Sequence, residues 1–178
     1  VIFGIVVNIA AFFLMAGLLN ILSAALTIGA TLFYVLVYTK ALKRTTTQNI
    51  VIGGAAGALP PLIGWTAVTG SIGLPAIFLF AIVFFWTPPH FWALALMLKD
   101  DYARAKVPML PVVVGVQETK KSILLYTILM LALTTMFYAT GAVGLVYLVM
   151  SSTAGLAFIY YAWRLIRNPD ILGAKALY

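Results

Sequence analysis

Apolar residues fill long, unbroken runs of this chain, and polar residues gather in three short stretches. Read by hydropathy, the runs predict six helical spans: roughly Ile2 to Leu18, Leu22 to Tyr38, Ile50 to Val68, Ile72 to Leu98, Ser122 to Tyr138 and Val143 to Trp163. Runs of this length suit a bilayer crossing. In lipid the backbone must satisfy its own polar groups, and helices do so. A transmembrane barrel would instead alternate apolar and polar residues over strands of about ten. The predicted fold class is therefore all-α: a polytopic transmembrane helical bundle. It is read as a single domain over residues 1–178, incomplete at both termini.

The polar stretches are TKALKRTTTQN from Thr39, a long loop from Lys99 to Lys121, and the tail RLIRNPDILGAK. They hold every one of the 11 lysines and arginines. The intervening links, around Asn20 and Ser23 and at TGSIG, carry no charge. Successive polar stretches are two spans apart, so all three face one side. The positive-inside rule places that side in the cytoplasm, or in the matrix of a mitochondrion. The four acids, Asp100, Asp101, Glu118 and Asp170, fall on the same side.

Composition agrees. The chain is 64% hydrophobic and 8% charged, against about 25% charged in a soluble domain. The net charge of +7 would suggest nucleic acid in a soluble protein; here it reports topology. No cysteine is present, which removes disulfides and thiolate chemistry.

Irregularity concentrates in the third and fourth spans. A straight helix over Ile72 to Leu98 would measure about 40 Å, against a hydrocarbon core of about 30 Å. Pro88 and Pro89 lack backbone donors, so a kink or break is expected there. The third span carries Pro60 and Pro61. Two broken helices would open a cavity toward the charged side. Gly53, Gly54 and Gly57 allow close helix packing.

The stretch from Trp86 to Pro111 holds the one histidine and two of the four acids. His90 is an intramembrane ionisable group, hence a functional candidate, and equally a helix histidine packed between Trp86 and Leu94. On a continuous helix, His90 and Asp101 would share a face about 16 Å apart. That spacing suits a ligand with an apolar body and an anionic head. Asp100 and Asp101 offer two carboxylates for Mg²⁺, which fills its shell with phosphate and water. Alternatively, Asp100 pairs with Arg104 at i,i+4 on a solvated helix end. Lys43 and Arg44, with Thr45, Thr46 and Thr47, suit phosphate oxygens, or simply mark topology. Lys120 and Lys121 read as topology markers, and Tyr160, Tyr161 and Trp163 as an interfacial aromatic belt. Asn8 is polar inside the first span, and reads equally as an interhelical hydrogen-bonding group.

Three phrases, YTKALKRTTTQNIVIGGAAGALPPLIGW, WTPPHFWALALMLKDDYARAKVPMLPVVVG and ETKKSILLYT, occur in this order. Together the chain resembles the protoheme IX farnesyltransferase (haem O synthase) family of UbiA-type intramembrane prenyltransferases. The resemblance implies transfer of a farnesyl group from farnesyl diphosphate to the vinyl group of haem B, releasing diphosphate. It makes Asp100, Asp101, Lys43 and Arg44 the catalytic candidates, with Asp100 and Asp101 also holding Mg²⁺. It makes His90, Trp92, Tyr102, Arg104 and Lys106 substrate-binding candidates, with His90 contacting haem. The lipid bilayer and membrane proteins of the haem pathway are the implied partners, and the bacterial inner membrane the implied location, with the mitochondrial inner membrane as alternative. The family's first acidic motif would lie before Val1, so this stretch alone is expected to be inactive. The acidic loop also lacks a second carboxylate at i+4: Arg104 follows Asp100 and Ala105 follows Asp101. A quinone-precursor prenyltransferase and a membrane transporter stand as alternative readings.

Overall fold

A computed structural model describes residues 1–167 and 171–178; Asp170 and its assigned side lie outside them. Eight α-helices follow one another: α1 Ile2–Leu18, α2 Ile21–Leu32, α3 Asn49–Thr69, α4 Leu74–Met97, α5 Lys99–Arg104, α6 Leu110–Val113, α7 Val116–Tyr138 and α8 Leu145–Arg167. A π-helical segment, Phe33–Leu42, continues α2, and a 3₁₀ segment, Ile171–Ala176, follows α8. Five segments are long and apolar enough to cross a membrane: Ile21–Leu42, α3, α4, α7 and α8. The apolar α1, with 17 residues, stands at the short end of the range for a bilayer crossing. The chain is an integral membrane protein built of helices.

Each long helix packs on the next: α1 on α2, α2 on α3, α3 on α4, α4 on α7 and α7 on α8. Among the described residues α1 makes no contact with α7 or α8, so the helices form an open row with α4 inside it. The links are short on one end and charged on the other. At the short end, Asn20 caps α2 by accepting from the Ser23 amide at 2.9 Å. Its own amide donates to the Thr66 carbonyl at 2.7 Å and the Ala67 carbonyl at 3.2 Å. One side chain thus satisfies a free helix donor and pins the α1–α2 turn to the end of α3.

The packed core lies toward the charged end. There Trp92, Ala93 and Leu96 of α4 meet Leu110, Ile123 of α7 and Leu165 of α8. The opposite ends of α1 and α8 stay apolar and exposed, as at Leu14, Leu18, Leu145 and Val146, which suits a lipid surround.

Several sequence expectations change here. α4 is helical through Pro88 and Pro89, and α3 through Pro60 and Pro61, so neither helix is broken. Proline removes a donor but not helical φ, and α4 is held on both flanks by α3 and α7. The helix does end at Met97, where Leu98 leaves helical geometry (φ −105°, ψ 24°). A new short helix, α5, then begins. His90 and Asp101 therefore do not share a face of one continuous helix. The second span also runs past Tyr38, because π-helical turns carry Thr39 and Lys40 into the helix. Their i→i−5 pattern is explicit where the Lys43 amide bonds the Tyr38 carbonyl at 2.8 Å.

The glycines of α3 divide. A Cβ at Gly53 would lie 2.2 Å from Tyr38 Cδ2, and one at Gly54 3.1 Å from Thr87 Cγ2. Both allow the close packing expected. A Cβ at Gly57 would meet nothing within 4 Å, so packing does not explain that residue. Asn8 bonds the Gly4 carbonyl of its own helix at 2.8 Å and, among the described residues, makes no interhelical bond. Lys120 is fully buried and partnered, hence no surface marker. A buried ammonium stands only with compensation. Lys121 is exposed and pairs with Glu118 at 2.7 Å.

Candidate functional site

Two charged loops meet one apolar cluster. Ile50, at the start of α3, packs with Ala95 of α4 and with Val107 and Met109 of the second loop; Tyr102 packs against the same cluster. The neighbouring Asn49 is fully buried and donates from its amide to the Lys43 carbonyl at 3.3 Å. The first loop is thus tied to the α3 N-terminus, and the second loop is packed on the same place. Lys43 and Arg44 are exposed, as are Asp100, Asp101, Arg104 and Lys106. Among the described residues no hydrogen bond or ion pair joins the first group to the second. Tyr102 sits where the two loops meet.

Local detail separates the candidates. Arg104 Nη2 forms an ion pair with Asp101 Oδ1, at i,i+3. The expected Asp100–Arg104 pair is not formed, and Asp100 is left without a partner among the described residues. A short helix brings i+3 as well as i+4 onto one face, so the choice rests on rotamers. Of the loop threonines, Thr45 donates to the Ala41 carbonyl, and Thr46 Oγ1 accepts from the Gln48 amide. These hydroxyls shape the loop before any ligand arrives. Lys106 has φ 55°, a left-handed conformation unusual for a residue with a side chain. It ends α5, and the following Val107 amide closes back on the Tyr102 carbonyl at 3.0 Å.

His90 lies deeper, in α4. Its ring stacks on Trp86 (4.3 Å, 22°) and on Tyr178 (4.8 Å, 15°), with Phe91 edge-on. Nδ1 is buried without a hydrogen-bond partner. Trp86 is thus a packing companion, as expected, and Tyr178 is a second. Trp92 points elsewhere: it is 3% exposed within the core, edge-on to Tyr126 at 5.1 Å. It lines neither of the cavities beside α4.

Those cavities are what the chain offers an apolar substrate. One, of about 620 Å³, lies between α2 with its π-helical continuation, α3 and α4; Tyr34, Tyr38, Gly53, Gly57, Trp86 and Phe91 line it. The other, of about 590 Å³, lies between α4, α7 and α8, against Trp86, Thr127, Tyr147, Ser151 and Phe158. Both volumes suit small-molecule sites. A third, of about 920 Å³ with nearly all-apolar walls, separates α1 from α2. Cavities thus arise beside continuous helices, not from the broken ones expected. Pro60 and Pro61 still contribute, since neither brings an N–H to the carbonyls of Ala56 and Gly57, and both these residues line the first cavity.

The residues missed in the sequence are Tyr34, Tyr38 and Thr87. Their signal was weak: two tyrosines four apart and a threonine facing a glycine. The π-helical turn that aims the tyrosines has no sequence signature.

No group of three or more metal-ligating side chains occurs among the described residues. A cage made by this stretch alone is therefore not present. Two exposed adjacent carboxylates, one unpartnered, do fit a cation that shares its shell with phosphate oxygens.

Residues 1–178 match the UbiA prenyltransferase family. The chain belongs to that family, which sets the transporter reading aside. It is 53% identical over 98% of its length to a protein of Roseiflexus sp. (strain RS-1) described as protoheme IX farnesyltransferase, covering 33% of that protein. A protein of the same description from Gloeobacter violaceus is 50% identical over 94% of this chain and 55% of its own. One from Nostoc sp. is 51% identical over 95% of this chain and 54% of its own. The chain thus spans between a third and about half of these relatives. No solved structure matches it significantly.

Proposed function

We propose that the protein carrying this chain transfers a farnesyl group from farnesyl diphosphate to haem B, giving haem O. The carrying observation is the identity of about half of all positions, over nearly the whole chain, with relatives described as protoheme IX farnesyltransferase. Residues 1–178 are read as part of one prenyltransferase domain, in a bacterial inner membrane, with the charged loops cytoplasmic.

The chemistry follows from the parts. The bond between the allylic carbon and diphosphate breaks, the terminal vinyl carbon bonds to the allylic carbon, and water gives its hydroxyl to the inner vinyl carbon and releases a proton. Lys43 and Arg44 from the first loop, and Arg104 and Lys106 from the second, lower the charge of the leaving diphosphate. Asp100 and Asp101 are the residues that would hold Mg²⁺. Mg²⁺, when bound, adds charge neutralisation at the leaving group. The apolar cavity beside Tyr38 excludes water from the allylic cation, and the faces of Tyr34, Tyr38, Trp86 and Phe91 favour positive charge. Tyr102, between the loops, is assigned to the diphosphate end. His90 is assigned to haem contact by the family resemblance and by its Nδ1, which makes no hydrogen bond among the described residues, although Trp86 and Tyr178 are both stacked on its ring. Trp92 supports this region from the core behind it.

The test is a prenylation assay on the full-length protein, with haem B and 4-hydroxybenzoate offered separately and products identified by mass. Haem O alone supports the reading. Prenylated hydroxybenzoate alone would transfer the assignment to a quinone-precursor enzyme. Residues 1–178 by themselves are expected to give neither product.

A further inference from the structure

Among the described residues, Trp86 is the only one that lines both cavities beside α4. It is 39% exposed, and its ring is braced by the parallel His90 ring one turn nearer the charged end. An indole so held is a fixed wall between two chambers. Each chamber alone has room for a substrate, at about 620 and 590 Å³.

Resting on the farnesyl-transfer reading, the geometry points to a division of substrates at Trp86. The prenyl chain occupies the chamber of the π-helical segment, α3 and α4. The ring acceptor, a flat apolar body with an anionic edge, occupies the chamber of α4, α7 and α8.

Two observations decide which chamber takes which. The first chamber reaches Tyr38, whose carbonyl bonds the Lys43 amide. A chain whose anionic head rests on Lys43 and Arg44 continues directly into it. The second chamber reaches Tyr161 of α8 and Ala176. Arg164, one turn beyond Tyr161, and Lys175, beside Ala176, are both exposed at the charged end. An acceptor's carboxylates meet those cations while its body lies along Trp86 and Phe158. The Thr127 and Thr134 hydroxyls donate to carbonyls of their own helix, so they leave that wall apolar. The two substrates meet only at the edge of Trp86, and the indole screens the allylic cation from water until the vinyl carbon is in place.

The experiment uses full-length protein with farnesyl diphosphate and haem B, reading haem O, farnesol and both KM values. Trp86→Ala is expected to raise the farnesol to haem O ratio about tenfold or more, as water replaces the lost wall, and Trp86→Phe to restore most of the coupling. Gly57→Leu fills the first chamber, where an added Cβ meets nothing within 4 Å. It is expected to raise the farnesyl diphosphate KM by about tenfold with the haem KM unmoved. Ser151→Leu fills the second and should do the reverse. A Trp86→Ala protein with the wild-type ratio overturns the partition, as do two filling variants that act on the same substrate. Should Trp86→Ala fail to accumulate, the filling pair decides alone. Wild-type protein that forms no haem O overturns the farnesyl-transfer reading, and the partition with it.

Discussion

The ring of Tyr38 lies over the bare backbone of Gly53, so that a methyl group on Gly53 would sit 2.2 Å from Tyr38 Cδ2. The contact joins the π-helical segment to α3 and forms one wall of the first cavity. Gly53→Ala must displace the ring. Overpacking of this kind costs about 1–3 kcal/mol. Thermal unfolding in detergent should show the loss, and Tyr38→Ala in the same protein should recover much of it. Equal losses with and without the tyrosine would remove Tyr38 as the cause.

Asn20 joins a helix cap to an interhelical tie, and the two can be separated. Asn20→Asp keeps the acceptor for the Ser23 amide but loses the donor to Thr66 and Ala67. Asn20→Ala loses both. The cap is worth about 1 kcal/mol, so the aspartate variant should melt between wild type and alanine. Identical melting of the two variants would mean that the cap contributes nothing.

Asp101 is exposed and paired only with Arg104, and such pairs contribute about 0–1 kcal/mol. Asp101→Ala in the full-length protein should therefore insert and melt nearly as wild type. Its haem O formation should fall by about a hundredfold or more if the carboxylate serves the leaving group. Normal turnover would end the metal–diphosphate assignment of this residue.

Lys106 holds a left-handed backbone that glycine adopts without steric cost. Lys106→Gly is expected to leave stability unchanged or slightly raised, while farnesyl diphosphate binds more weakly for want of a cation. Lys106→Ala shares the lost charge and keeps the strain, so it should melt below the glycine variant. The reverse order of melting temperatures would contradict the strain.

His90→Ala should weaken haem binding by about tenfold, roughly the worth of a lost ring contact and hydrogen bond. Titration of the Soret band reads this directly. A dissociation constant equal to wild type would return His90 to a packing role beside Trp86.

Much of this could be read from residue order, and the exceptions share a cause. Charge placement showed that the loops share one end of the bundle, because ionisable groups are costly within apolar spans. Gly53 and Gly54 were legible as close-packing positions because small residues have few other uses there. Gly57 has the same letter and a different surrounding, which only the neighbouring helices decide. Lys120 beside Lys121 looks like a surface pair, yet one is buried and the other is not. Asp101, not Asp100, holds Arg104, a choice between i+3 and i+4 made by rotamers. The stack on His90 was half legible: Trp86 lies one helical turn away, whereas Tyr178 arrives from the far end of the chain. Local rules reach as far as one helix, and the site is made by several.

The open row of helices also bears on how the protein is assembled. Nearly every contact joins one span to the next in order, and such local topology folds quickly because few long loops must close. Spans emerging from a ribosome can dock in turn, N-terminal first. The return of Ile171–Ala176 onto α4 is the exception, since it must wait for α8. The cover over His90 therefore arrives only after α8.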